Sequence, residues 1–151
     1  MELIVRRFEE LTVPALYEIL KARAAVFTME QNIRYLDMDD IDKVSFHMFF
    51  HDGDTVTAYL RAYADSDDPA AVRIGRVLTR RRSCGLGRDL MDAGLDWLQA
   101  NTQFQTAVLD AQLPVTGFYE KLGFHICSDP FIEAGILHCR MQKTLSNKKG
   151  V

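Results

Sequence analysis

Residues 72–88 decide how this chain is read: Val72-Arg73-Ile74-Gly75-Arg76-Val77-Leu78-Thr79-Arg80-Arg81-Arg82-Ser83-Cys84-Gly85-Leu86-Gly87-Arg88. Val72 to Thr79 reads as a strand, with no polar cover at Val77 and Leu78. After the two glycines, Leu90, Met91, Gly94, Leu95, Trp97 and Leu98 recur at helical spacing, which predicts an amphipathic helix to about Ala100. Glycines between a strand and a helix allow a tight turn and a close approach by a ligand. The first amides of a helix lack partners within it, and together with the helix dipole they attract phosphate. Arginine adds bidentate, charge-assisted hydrogen bonds. The segment is therefore a candidate pyrophosphate cradle, and the alternative is a glycine-rich turn with solvated arginines. No Gly-Lys-Ser/Thr follows, so it is not a P-loop. Leu90 stands where a dinucleotide-binding G-x-G-x-x-G needs its third glycine.

Working outward, charge is unevenly placed. Arg73, Arg76, Arg80, Arg81, Arg82 and Arg88 give residues 73–88 a charge of +6 with no acid, so the rest of the chain carries −9 behind a net charge of −3. That total argues against a general nucleic-acid binder. The 151 residues fit one domain, here 1–145 with a flexible tail over 146–151. With 48% hydrophobic and 26% charged residues, the composition excludes a disordered or low-complexity chain. No run nears the roughly 18 apolar residues of a membrane span. Met1 to Arg7 has no signal-peptide layout, and the odd, unpatterned cysteines make a reducing cytoplasm the expectation. Cys84, Cys127 and Cys139 follow no C-x-x-C spacing and His47, His51, His125 and His138 are scattered, so neither a disulfide framework nor a metal site is expected.

The other elements follow from periodicity and turn signals. Leu3 to Phe8 reads as a strand, and Thr12 caps a helix along which Leu16, Ile19, Leu20, Val26 and Phe27 recur. Residues 34–43 read as a loop with Asp37, Asp39, Asp40 and Asp42. Ser45 to His51 and Thr55 to Ala64 are strands around Asp52-Gly53-Asp54. Thr106 to Ala111 is a strand. Thr116 to Leu122 is a short helix stopped at Gly123 in a Schellman-type end with Phe124. Phe124 to Ser128 and Leu137 to Leu145 are the last strands. The order is β-α-β-β-β-α-β-α-β-β, an α/β fold with a mixed, mostly antiparallel sheet flanked by helices.

Two motifs in this order, Arg82-x-x-Gly85-x-Gly87 opening one helix and Phe118-Tyr119-x-x-x-Gly123-Phe124 closing the next, resemble the GNAT superfamily of acetyl-CoA-dependent N-acetyltransferases. Arg23-x-x-Val26-Phe27-x-x-Glu30-Gln31-Asn32 is similar to a run in the small ElaA-like and YjcF-like members. So are Ala111-Gln112 and Phe131-Ile132-Glu133-Ala134-Gly135-Ile136-Leu137-His138, where Leu137 departs from their proline.

The resemblance implies acetyl transfer from acetyl-CoA to the amine of a small molecule or peptide, in a monomer or homodimer that needs neither nucleic acid nor membrane. It assigns CoA contacts to Arg82, Cys84, Gly85, Leu86, Gly87 and Arg88 at the turn, to Val77, Leu78 and Thr79 on the preceding strand, and to Gln112 and Phe118. It assigns to Tyr119 the general acid that protonates the leaving thiolate. Many members place a glutamate base on the strand before the turn, but this strand has no carboxylate. At 100° per residue, Leu16, Leu20, Arg23, Phe27 and Glu30 share one helix face. Glu30 is thus a candidate base or amine ligand, against the alternative of a structural Arg23–Glu30 pair. Arg23, His47 and His138 are further acceptor-site candidates, and the acidic loop is a candidate attractor of a cationic amine. Two alternatives stay open: a non-catalytic CoA-binding sensor of the same fold, and a polyanion binder using the +6 window.

Overall fold

A computed structural model describes residues 1–81 and 84–145. Its contacts form two compact units, Met1–Tyr63 with Arg76–Leu90, and Ala64–Gly75 with the chain from Met91 onward. Eight strands and three α-helices are present among the described residues: β1 Ile4–Arg7, α1 Val13–Arg23, β2 Phe46–Asp52, β3 Thr55–Ala64, β4 Ala71–Thr79, α2 Leu86–Asn101, β5 Thr106–Gln112, α3 Thr116–Glu120, β6 His125–Ile126, β7 Phe131–Glu133 and β8 Ile136–Thr144. The chain has the expected mixed α/β architecture with a mostly antiparallel sheet.

In the first unit, β1 pairs antiparallel with β2 and β2 with β3. The Arg80 amide donates to the Thr57 carbonyl at 2.8 Å, which sets the end of β4 beside the start of β3. Asp52 pairs with Thr55, so the hairpin loop is Gly53-Asp54, with Gly53 at φ +60°. Thr12 caps α1 by accepting from the Ala15 amide at 3.1 Å. The core of this unit is Ile19, Ala22, Val26, Phe49, Val56, Tyr59 and Leu78, with Ile4, Leu11 and Phe27 packed against it. The predicted α spacing holds only to Arg23. The next seven residues, Ala24–Glu30, form a π-helical stretch, closed by the Gln31 amide donating to the Val26 carbonyl at 3.1 Å. Its wider turn takes Glu30 off the Arg23 face and leaves it exposed.

In the second unit, β5 runs parallel to the first residues of β4, Ala71–Arg73, and antiparallel to the whole of β8. β6 and β7 also pair antiparallel with β8. β7 was not expected from the sequence. It forms a hairpin with β8 through Ala134-Gly135, both at positive φ (52° and 75°), the signature of a type I′ turn. The predicted Schellman end is present. The Phe124 amide donates to the Tyr119 carbonyl at 3.1 Å and the Gly123 amide to the Glu120 carbonyl at 3.0 Å, with Gly123 at φ +95°. Along α2, Leu90, Met91, Gly94, Leu95 and Leu98 of the predicted apolar stripe are buried, while Trp97 is partly exposed. The expected tail, 146–151, lies outside the described residues.

Candidate functional site

The glycine turn belongs to the first unit. Gly85 sits at φ +74° and is exposed, and its carbonyl accepts the Asp89 amide at 3.0 Å. That bond is the first of α2, so Gly85 is the N-cap and the amides of Leu86, Gly87 and Arg88 have no acceptor within the helix. Cys84 and Arg88 are exposed beside it. Leu86 is buried and anchors the helix start. Arg82 and Ser83 lie outside the described residues. On β4, Leu78 is buried while Val77 and Thr79 are partly exposed.

The +6 window is less positive than its sequence. Arg73 is bonded to Asp65 and to Asp110, which also holds Arg140. Arg76 donates through Nε to Asp37 Oδ1 at 2.8 Å and through Nη2 to the Asp37 carbonyl at 2.9 Å. Arg81 meets Asp52 at 3.4 Å in a pair exposed on both sides. Arg80, Arg81 and Arg88 face solvent.

Beneath the acidic loop lies a network that sequence reasoning missed. Arg23, fully buried, donates to Asp37 Oδ2 at 2.8 Å, to the Asp37 carbonyl at 2.8 Å and to Asp42 Oδ1 at 2.7 Å. Arg61, 3% exposed, donates to the same Asp42 oxygen at 2.9 Å and to both oxygens of Asp39 at 2.6 and 3.0 Å. Three arginines and three aspartates thus balance in charge. The Arg61 hydrogen bond and charge hold the Asp39 carboxyl below its ordinary pKa. Burial pushes Asp42 up, but the hydrogen bonds and charges of Arg23 and Arg61 outweigh it and hold the carboxyl ionised below its usual range. This corrects the picture of an acidic attractor for a cationic amine. Asp37, Asp39 and Asp42 are spent on arginines, and the exposed Asp40 pairs with Lys43 at 3.1 Å. The network's sequence signals were Arg23, a charge on the apolar face of α1, and Arg61, a lone charge in the largely apolar β3.

His47 is fully buried against the same network. Its Nε2 lies 2.8 Å from the Asp42 carbonyl, which can only accept, so Nε2 carries the proton. Nδ1 then accepts from the Tyr59 hydroxyl at 2.7 Å. Burial lowers the His47 pKa, and nearby Arg23 and Arg61 lower it further against Asp42. Arg23 and His47 are thereby enclosed with their polar atoms committed, while Glu30 is exposed on the π-helical stretch.

The remaining predicted residues lie in the second unit. Gln112 on β5 and His138 on β8 are register partners. His138 Nδ1 donates to the Ile136 carbonyl at 2.7 Å, and its ring stacks on Phe131 with centroids 6.1 Å apart. Tyr119 is 8% exposed between the edges of Phe118 and Phe124, at centroid distances of 5.0 and 6.0 Å. Burial pushes its hydroxyl pKa up to about 12, so it holds a proton at neutral pH.

Described residues of the first unit line two cavities, among others. One of about 60 Å³ is lined by Phe27, Thr28, Ile33, Tyr35, Leu36, Asp37 and Arg76. A larger one of about 810 Å³ runs between β1, the start of α1 and the β2–β3 hairpin, and none of the sequence-predicted site residues lines it. No cluster of His, Cys, Asp and Glu suited to a metal occurs among the described residues, and no helix there is long and apolar enough to cross a membrane.

Comparison with known proteins agrees with this architecture. The chain is 34% identical to a UPF0039 protein of Schizosaccharomyces pombe, over 96% of this chain and 98% of that one. It superposes on the crystal structure of Escherichia coli ElaA with a TM-score of 0.86 at 32% identity, covering 94% and 98% of the two chains. It superposes on an acyl-CoA N-acyltransferase from Pseudomonas aeruginosa with a TM-score of 0.87 at 28% identity, covering 95% and 99%. Residues 24–145 match the family described as acetyltransferase (GNAT) domain, and this chain belongs to that family.

Proposed function

We propose that the chain is an acetyl-CoA-dependent N-acetyltransferase acting on the amine of a small molecule or peptide. The observation that carries this reading is the start of α2: an exposed N-cap glycine at positive φ, followed by amides with no helical acceptor. Such amides suit a diphosphate, and the exposed Arg88 adds charge beside them. Arg82 and the Cys84 and Gly85 amides complete the cradle in this reading. Bound acetyl-CoA supplies an acetyl thioester: the acceptor nitrogen forms the N–C bond as the C–S bond breaks, the amine gives up a proton and the departing thiolate takes one up. The backbone of Val77, Leu78 and Thr79 aligns the donor and offers an N–H to the developing oxyanion. Gln112 and Phe118 complete the donor contacts. Tyr119 holds a proton at neutral pH and delivers it to the thiolate. The amine proton goes to Glu30 or to ordered water, since β4 offers no carboxylate. His138 borders the acceptor, and Arg23 and His47 act on it only by fixing the loop above them.

Acetyl-CoA at 100 times its dissociation constant is expected to stabilise the protein by about 2.7 kcal/mol, read as a thermal shift. No shift sinks the proposal. Tyr119→Phe is expected to keep that shift and lower thiol release by about 10²–10⁴-fold. The missing strand carboxylate favours one second reading, a CoA-binding sensor. A full thermal shift with no thiol release on any amine would select it.

A further inference from the structure

Arg76 is held in an unusual state. It lies within β4 at φ +53°, a conformation that costs a non-glycine residue about 1–3 kcal/mol and persists only where its surroundings enforce it. Its side chain is anchored on Asp37, which accepts from Nε and Nη2. Asp37 is itself held by Arg23. The remaining nitrogen, Nη1, makes no hydrogen bond among the described residues, and the side chain is 29% exposed. It forms one wall of the 60 Å³ cavity whose other walls include Phe27, Ile33, Tyr35 and Leu36. Tyr35 and Leu36 are 70% and 78% exposed, so the cavity that Arg76 lines has an open apolar rim, with Thr28 and Asp37 as its other polar walls.

We infer that Arg76 Nη1 and this apolar pocket bind the acceptor as an α-amino carbonyl unit with a short apolar side chain, the form presented by an amino-acid amide or a peptide N-terminus; this rests on the acetyltransferase reading. The chemistry follows from three features. Nη1 offers two N–H donors and accepts nothing, so its partner is an oxygen. The three arginines of the network are already balanced by Asp37, Asp39 and Asp42, so an uncharged carbonyl oxygen fits there and a carboxylate adds an uncompensated charge. A volume near 60 Å³, below the roughly 150 Å³ of a cavity that holds benzene, takes a side chain the size of alanine or valine. Arg76 directly precedes Val77, the first residue of the proposed donor-aligning stretch, so an oxygen on Nη1 leaves the neighbouring amine within a small molecule's length of that strand.

The test measures thiol release with acetyl-CoA and five acceptors: L-valinamide, L-alaninamide, L-valine, isobutylamine and spermidine. The two amides are expected to show the highest kcat/KM, with valine, isobutylamine and spermidine each at least about tenfold lower. Arg76→Lys keeps the charge and loses the fork. It is expected to raise KM for valinamide by about 10–100-fold while leaving KM for isobutylamine unchanged. Leu36→Ser, on the exposed rim, is expected to lower kcat/KM for valinamide more than for alaninamide. A wild-type acetyl-CoA thermal shift in each variant reports that it is folded. The inference is overturned if spermidine or free valine is the best acceptor, if isobutylamine matches valinamide, if Arg76→Lys raises both KM values alike, or if acetyl-CoA binds and no amide is turned over. Loss of the acetyl-CoA shift in the wild type would instead overturn the acetyltransferase reading itself.

Discussion

Two arginine-rich regions of the first unit use the same side chain in opposite ways. Under the acidic loop, Arg23 and Arg61 are 0% and 3% exposed, and each is gripped by two aspartates. At the glycine turn, Arg80, Arg81 and Arg88 are exposed, and Arg81 meets Asp52 in a pair open to solvent on both sides. The first arrangement is architecture. Its charges are desolvated and matched, and removing one partner strands the rest. The second sets exposed charge beside amides that have no acceptor within their own helix. Arg76 lies between these cases, with two nitrogens spent on Asp37 and one left over, and that is why it carries the acceptor inference.

The contrast can be broken by measurement. Asp42→Ala removes the oxygen shared by Arg23 and Arg61 and leaves two buried cations short of a partner. It is expected to cost about 3–5 kcal/mol in urea denaturation, and a loss under 1 kcal/mol would show the network to be dispensable. Gly85→Ala tests the turn. A Cβ there meets nothing within 4 Å, so the penalty is the backbone's alone. It is expected to be about 1–2 kcal/mol of stability, with a smaller acetyl-CoA thermal shift.

A pH titration reads the network in a third way. His47 has a lowered pKa in the folded protein, so between its unfolded value of about 6.5 and its folded value the unfolded chain binds the extra proton. Its contribution to stability is present above pH 6.5 and fades as pH falls through the folded pKa, by up to about 1.4 kcal/mol per pH unit. Asp39 and Asp42, also lowered, add a second loss of the same sign below about pH 4. His47→Gln should abolish the first phase and keep the second. The smallest effect belongs to the exposed turn. Arg81→Ala should change stability by less than about 0.5 kcal/mol, with the difference vanishing in high salt.

Local chemistry was legible in the sequence where neighbours along the chain settle the outcome. The glycine stop after α3, the Asp52 hairpin, the Thr12 cap and the stripe of α2 all depend on residues a few positions apart. The buried pairing was not legible. A helical wheel placed Arg23 with Glu30, but its partners are Asp37 and Asp42, 14 and 19 residues away. The π-helical stretch was hidden for the same reason, since the apolar pattern through Val26 and Phe27 fits either winding. β7 escaped because three residues show no periodicity, and only β8 gives them a ladder.

By itself, then, the sequence determined the order of strands and helices apart from β7, the two glycine-centred motifs and the family they point to. These depend on backbone preference and apolar spacing, which act over a few residues. Tertiary structure decided which charges are spent. Of the six arginines in the opening window, it bonded Arg73 and Arg76 to aspartates within the fold and placed Arg80, Arg81 and Arg88 at the exposed surface. The reason is physical: a charge is neutralised by whatever the fold brings within hydrogen-bonding distance, and neither composition nor spacing encodes that distance.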